Sequence, residues 1–200
     1  MTHLQIDLRE IFFSLRSFLK HPVQEIRKIP HWEWRRLILA QLLVTMISGF
    51  LAGLIHHSVY AIFLNMLLMP ILTLITAFIS SLFFFYTFQI VSEKIIEFRL
   101  IFTAVFFANV PFFIFQIIMG YFPPILLVGL AFTGLLLIVA FVDNFLLPRK
   151  FVTRLIAGIY VIFVMTYLVA WFSTNHSTDN WHESSTSAPA VQLGKDPSAH

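Results

Sequence analysis

Five long apolar segments alternate with short polar ones along this chain of 200 residues. A helix needs about 20 mostly apolar residues to cross the roughly 30 Å hydrocarbon core of a bilayer. The pattern therefore predicts an all-α integral membrane protein, a five-span helical bundle. The second segment is too long for a straight perpendicular crossing, and we expect Pro70 to kink it. The approximate bounds of the predicted spans are 37–55, 61–91, 100–119, 125–147 and 151–172.

Polar or amphipathic segments flank the spans on both sides. Residues 1–36 are predicted to be a cytoplasmic segment, in which residues 4–19 repeat apolar positions with the period of an amphipathic helix. Such an interfacial helix lies in the headgroup layer or packs under the bundle, and the sequence leaves both arrangements open. Residues 173–200 are rich in Ser, Thr, Asn and His, and we expect a disordered polar tail because they cannot form an apolar core.

The basic residues fall into alternate gaps between the spans. Of the 13 Lys and Arg residues, seven precede the first span, two lie between the second and third, and three lie around the junction of the fourth and fifth. The other two gaps contain none, and one lysine lies in the tail. Short cytoplasmic loops retain Lys and Arg, so this pattern predicts a cytoplasmic N-terminus and an outer C-terminus. In a bacterium the membrane would be the cell inner membrane.

A cluster of aromatic and basic residues precedes the first span. Trp32 and Trp34 are predicted to lie at the depth of the lipid headgroups, and Arg35 and Arg36 on the cytoplasmic side of them. These four residues are therefore the predicted interfacial anchors. His56 and His57 fall in the outer turn after the first span and are expected to be an exposed loop rather than a metal site.

Composition narrows the function classes. Hydrophobic residues make up 58% of the chain and charged residues 12%, against about 25% charged in a soluble domain. The sequence pI of about 9.4 is better explained by anionic lipid headgroups than by nucleic acid, because the basic residues border the spans. The absence of cysteine excludes thiolate metal sites. No G-x-S-x-G, H-E-x-x-H or P-loop motif occurs, so we expect neither an enzyme nor a bound cofactor.

Asp143 is the only acidic residue within the predicted spans, and Asn144 follows it directly. An acidic group in the hydrocarbon is costly, which makes it a candidate proton or cation site. The alternative is a structural carboxylate that reaches the cytoplasmic interface and pairs with Arg149, Lys150 or Arg154.

Several amides lie deeper in the spans. Asn109 is close to Pro111, whose missing N–H leaves one backbone carbonyl without its usual donor, so the amide is a candidate partner for that carbonyl. Gln116, Asn65 and Gln41 are further intramembrane amides. They either form ordinary hydrogen bonds between helices or line a substrate path.

Gly49 and Gly53 form a small-xxx-small pattern in the first span. Small residues at this spacing let two helix backbones approach closely in a membrane. The candidate packing face serves either another helix of the same chain or a second copy in a homo-oligomer.

Two short stretches of the chain are similar to a known family. His-Pro-Val-Gln-Glu-Ile at residues 21–26 precedes the first span, and Phe-Phe-Ala-Asn-Val-Pro at 106–111 lies in the third. Over about residues 20–172 the chain resembles the Yip domain family of Ypt/Rab-interacting multi-pass membrane proteins. The resemblance implies a non-enzymatic protein of membrane traffic. The chain lacks the Asp-Leu-Tyr-Gly-Pro type motif and looks more like the bacterial branch, from which no functional residue carries over.

These observations predict a membrane scaffold or adaptor in membrane organisation or trafficking. Its inner face would contact lipid, including anionic headgroups, and a membrane or cytoplasmic protein, but no nucleic acid. The alternative is a small transporter or an ion- or proton-conducting protein that uses Asp143 and the amides.

Overall fold

The computed structural model describes residues 3–55, 59–93, 95–119 and 121–186, and these residues form helices without any β-strand. Five of the helices, α3 to α7, are long and apolar enough to cross a membrane, which confirms the all-α, five-span class. The histidines at 56 and 57 and the tail beyond 186 lie outside the described residues. The helices are α1 His3–Lys20, α2 Pro22–Glu25, α3 Trp34–Ile55, α4 Val59–Ser92, α5 Phe98–Ile118, α6 Ile125–Phe145 and α7 Arg149–Thr186.

One helix, α7, ends far beyond its predicted span, whereas the bounds of α4 agree with the predicted second span. α7 continues to Thr186, well into the segment from 173 for which the sequence predicts disorder. An established helix gains one backbone hydrogen bond per added residue without a new nucleation cost, so polar residues can extend it. α4 continues through Pro70 as one helix of 34 residues, about 51 Å long, which exceeds the hydrocarbon core and requires tilt or protrusion.

α5 is the central helix of the bundle. Every residue from Ile101 to Ala108 is buried. In the apolar part of α5, 56% of the residues are buried, against 11% in the apolar part of α4. α5 packs against α3, α4 and α6. Thr103, Ala104 and Ala108 are small, and small residues let neighbouring helices approach the α5 backbone closely.

The α3–α4 pair is closely packed at the predicted glycine face. A Cβ atom on Gly49 would lie 2.7 Å from the carbonyl oxygen of Asn65, and one on Gly53 would lie 2.7 Å from the Cα of Ile62. Neither position has room for a side chain. The small-xxx-small face is therefore occupied by another helix of the same chain.

The chain divides into two compact units, residues 1–160 and 161–200, with the boundary inside α7. In the first unit, α7 packs on α6: Ile156 lies beside Gly134, and the Tyr160 hydroxyl donates a hydrogen bond to the Leu127 carbonyl at 3.4 Å. In the second unit the described residues continue α7, and the rings of Tyr167 and Trp171 stack one turn apart.

Candidate functional site

The charged residues gather at one end of the bundle, which we call the basic end. There the rings of Trp34 at the start of α3 and Phe98 at the start of α5 lie 5.7 Å apart. Arg27, just before α3, pairs with Asp143 near the end of α6. The starts of α3 and α5 and the end of α6 therefore share one end. The segment that contains α1, α2 and the residues up to Glu33 packs there, and we call it the N-terminal segment.

Asn144 anchors the N-terminal segment to α6. Its amide nitrogen donates to the carbonyl of Ile26 at 2.8 Å and to that of Ala140 at 2.9 Å, while its oxygen accepts from the N–H of Ile29 at 3.3 Å. The side chains of Ile26 and Ile29 are buried. Buried backbone N–H and C=O groups need hydrogen-bond partners. The Asn144 side chain provides them for two backbone groups of a stretch that lies outside any helix.

Asp143 forms an ion pair with Arg27, with 2.9 Å between Arg27 Nε and Asp143 Oδ2. The predicted partners, Arg149, Lys150 and Arg154, form no such pair within the described residues, so that part of the interpretation is wrong. The reason is positional, because Asn144 holds Ile26 against α6 and brings the next residue to the carboxylate. The Arg27 and Asp143 side chains are 58% and 38% exposed, so the pair lies at a surface rather than in a sealed interior.

α1 packs on the bundle through one of its stripes. Ile11 and Phe18 are buried, and the rings of Phe18 and Phe107 lie 5.3 Å apart. Glu10 and Arg36 form an ion pair, with 2.6 Å between Glu10 Oε2 and Arg36 Nη1, and this pair joins α1 to the start of α3. The ring of Phe107 and the side chain of Arg36 are therefore two attachment points of the N-terminal segment.

The four predicted interfacial anchors differ in their surroundings. Trp32 is only 7% exposed and packs on Phe107 at 5.2 Å, so it belongs to the interior contact between the N-terminal segment and α5. Trp34 is 40% exposed, and Arg35 is exposed. Arg36 is engaged with α1 through Glu10. Trp32 is buried because its indole packs on Phe106 and Phe107 of α5, whereas the sequence alone places it at headgroup depth.

The intramembrane amides do not converge on one site. The Gln116 amide donates to the Met69 sulfur at 3.4 Å, which links α5 to α4, and Asn65 lies beside the glycine face of α3. Gln116 lies near the end of α5 and Asn65 near the start of α4. Both are therefore at the end of the bundle opposite Asp143 and Asn144. Asn109 forms no side-chain hydrogen bond with any described residue, including the carbonyl freed by Pro111.

Gln41 is the most unusual polar residue of the spans. It is 1% exposed, and neither its amide nitrogen nor its amide oxygen has a hydrogen-bond partner among the described residues. Thr45 and Ser48 continue the same buried stripe of α3, and the Ser48 hydroxyl donates to the Phe113 carbonyl of α5 at 2.8 Å. The sequence indicates an amide here, but not that its polar atoms are unsatisfied.

Most of the contacts that hold the N-terminal segment cannot be predicted from the sequence. Neither the Glu10–Arg36 pair nor the Asn144 hydrogen bonds to Ile26 and Ile29 follow from spacing, because they join residues far apart in the chain.

In the described part of the chain no three His, Cys, Asp or Glu residues are grouped closely enough to hold a metal ion.

Comparisons with protein-family models, with curated proteins and with solved structures give no match for this chain. The likeness to the Yip domain family consequently remains a hypothesis based on the two short stretches at 21–26 and 106–111.

Proposed function

We propose that this multi-pass membrane protein is a non-enzymatic scaffold or adaptor that presents its N-terminal segment to a partner at the basic end. The observation that carries the proposal is the Asn144 anchor, in which one α6 side chain binds the backbone of Ile26 and Ile29. A segment held in place by dedicated polar contacts offers a preorganised surface, and preorganisation lowers the entropic cost of binding.

Three other contacts support the same view. The Arg27–Asp143 and Glu10–Arg36 pairs and the packing of Phe18 on Phe107 hold the segment to α6, α3 and α5 in turn. No single neighbour accounts for its position. The segment is attached at several places while its outer residues stay exposed.

We also propose that α1 is an interfacial helix that contacts protein and lipid at once. Its buried stripe, with Ile11 and Phe18, faces the bundle. Phe12 and Leu19 form a second apolar stripe that is 64% and 53% exposed, and such a surface is suited to acyl chains. The two arrangements that the sequence leaves open are therefore compatible with each other.

The basic end is proposed to face the cytoplasm. Its support is the distribution of Lys and Arg, which gather at the starts of α3 and α7 and in the N-terminal segment. Because the chain has no cysteine, single replacements Lys28→Cys and Tyr121→Cys can be labelled in intact cells with a membrane-impermeant maleimide. Labelling of residue 121 alone supports a cytoplasmic N-terminus, and labelling of residue 28 alone reverses it.

Kinship with the Yip domain family stays a second part of the proposal. Residues of both stretches that carry the resemblance line one small cavity of about 80 Å³, Glu25 and Ile26 from the first stretch and Phe107 from the second. The resemblance thus involves residues that meet in space, which gives them a shared packing role.

A transporter has less support. Asp143 is paired and partly exposed at the basic end, while Gln116 and Asn65 lie toward the other end. A conducting path needs polar groups that follow one another through the bundle, and these do not.

The test of the adaptor role is site-specific photo-crosslinking in native membranes with the full chain. A photoreactive residue replaces Arg9 or Lys28, both exposed at the basic end, and Tyr121, which is exposed at the opposite end, serves as the matched control. We expect a defined protein adduct from positions 9 and 28 and none from 121. Adducts to lipid alone from all three positions would contradict the adaptor role.

A further inference from the structure

An apolar groove of about 510 Å³ runs between α1, α3 and α5. This volume lies within the roughly 300–1,000 Å³ range of small-molecule sites. Its floor is formed by Ile47 and Leu51 of α3 and by Ile114 and Ile117 of α5, and Leu19 of α1 closes one side. Between Leu43 and Leu51 the groove extends about 12 Å along α3. Most of the residues that line it are apolar, which suits a hydrocarbon chain.

Two cations line the groove where α1 borders it. Arg16 and Lys20 are one helical turn apart, both are exposed, and both contribute to the lining. Among the described residues no carboxylate forms an ion pair with either of them. The nearest acidic groups along α1 and α2 have other partners, since Glu10 pairs with Arg36 and Glu25 accepts a hydrogen bond from Ser17. The mouth of the groove therefore carries two positive charges that nothing described neutralises.

We propose that this groove binds one anionic phospholipid, with an acyl chain along α3 and α5 and the phosphate between Arg16 and Lys20. Charge complementarity selects an anionic lipid over a zwitterionic one, because two unpaired cations match a net negative headgroup. The floor opens toward the bilayer, since Ile47, Leu51 and Ile114 are all more than a third exposed, so a lipid can enter sideways. The inference goes beyond the adaptor role and rests on the placement of α1 beside α3 and α5.

The bound lipid would join α1 to the spans. α1 contributes Leu19 and both cations, whereas the floor belongs to α3 and α5. A lipid in this position therefore contacts the N-terminal segment and the bundle at the same time, and its headgroup charge sets how firmly α1 is held.

The experiment is native mass spectrometry of the purified full chain titrated with phosphatidylglycerol and with phosphatidylcholine of the same acyl chains. The charge variant is Arg16→Gln/Lys20→Gln. Its matched control is Arg149→Gln/Lys150→Gln, which also removes one Arg and one Lys charge, but from an exposed site outside the groove. We expect the charge variant to bind phosphatidylglycerol about tenfold more weakly, with phosphatidylcholine binding unchanged and the control like the parent chain.

A second variant tests the groove itself. Ile47→Trp fills the floor at a partly exposed position, and we expect it to weaken the binding of both lipids. Equal phosphatidylglycerol binding by the charge variant and its control would overturn the proposal. So would a dimer of the parent chain that excludes lipid and is separated by Ile47→Trp, because a second copy would then occupy the groove.

Discussion

The amide nitrogen of Asn144 donates a 2.8 Å hydrogen bond to the carbonyl oxygen of Ile26, which precedes it by 118 residues. This bond joins the end of α6 to the stretch that leads into α3. Asn144 is half-buried and Ile26 is only 1% exposed as a whole residue, so the Ile26 carbonyl has little access to water. The anchor therefore couples the position of the N-terminal segment to the packing of α6.

Replacement of Asn144 by leucine should release the N-terminal segment. The substitution leaves the Ile26 carbonyl and the Ile29 N–H without partners, and we expect the free energy of unfolding to fall by about 1–3 kcal/mol. Hydrogen exchange at residues 22–32 should also become faster. Asn109→Leu is the control, because that amide forms no side-chain hydrogen bond with the described residues. Equal exchange in the two variants would show that Asn144 does not hold the segment.

Replacement of Gly49 by alanine should force α3 and α4 apart. The added Cβ would lie 2.7 Å from the Asn65 carbonyl oxygen, and overpacking of this kind costs about 1–3 kcal/mol. Gly158→Ala is the matched control, since a Cβ there meets nothing within 4 Å. Its higher helix propensity should leave stability unchanged or raise it by up to about 1 kcal/mol. Thermal unfolding in detergent that ranks the two variants the other way would refute the close α3–α4 contact.

Replacement of Gln41 by methionine should stabilise the bundle. Both polar atoms of the amide are buried without a partner in the described residues, and removal of such groups relieves a desolvation penalty of about 1–3 kcal/mol. Gln116→Met is the comparison, because that amide donates to Met69 and is partly exposed, so we expect a smaller change. The measurement is again the melting temperature of the purified protein. A marked loss of stability in the Gln41 variant would mean that the amide has a partner.

Neutralisation of Asp143 should have little effect on stability. The ion pair with Arg27 lies at the surface of the basic end, and surface pairs contribute about 0–1 kcal/mol. We expect Asp143→Asn to lower the free energy of unfolding by less than about 1 kcal/mol, and a double-mutant cycle with Arg27→Gln to return a coupling of the same size. Proton flux in reconstituted vesicles should not change. A flux carried by the parent chain and lost in Asp143→Asn would instead favour the transporter.

Much of the fold could be predicted from the chain, and most of the candidate site could not. The start of α6 coincides with the predicted residue, and the start of α3 lies only a few residues from it, because Trp34, Arg35 and Arg36 extend the helix beyond its apolar part. By contrast, the predicted partners of Asp143 are wrong. Charge and closeness in sequence favour the basic residues at the start of α7, but the carboxylate pairs with Arg27.

Trp32 and Gly49 show why the surroundings of a residue cannot be predicted from the hydrophobic pattern. An indole beside arginines has the composition of a membrane anchor whether it faces lipid or, as here, Phe107. A small-xxx-small pattern has the same appearance whether its partner is α4 or a second copy. In both cases the residue type permits two environments, and only the arrangement of the other helices selects one.

The sequence by itself determined the class, the number and the approximate ends of the spans. Transfer of a helix into a bilayer depends on the summed hydrophobicity of consecutive residues, which is a local property. Only the tertiary structure decided that α5 is central, that Asn144 anchors Ile26 and that α1 borders an apolar groove. The physical reason is that lipid and protein interior are similarly apolar, so the hydrophobic pattern of a span does not record which of its faces meets another helix.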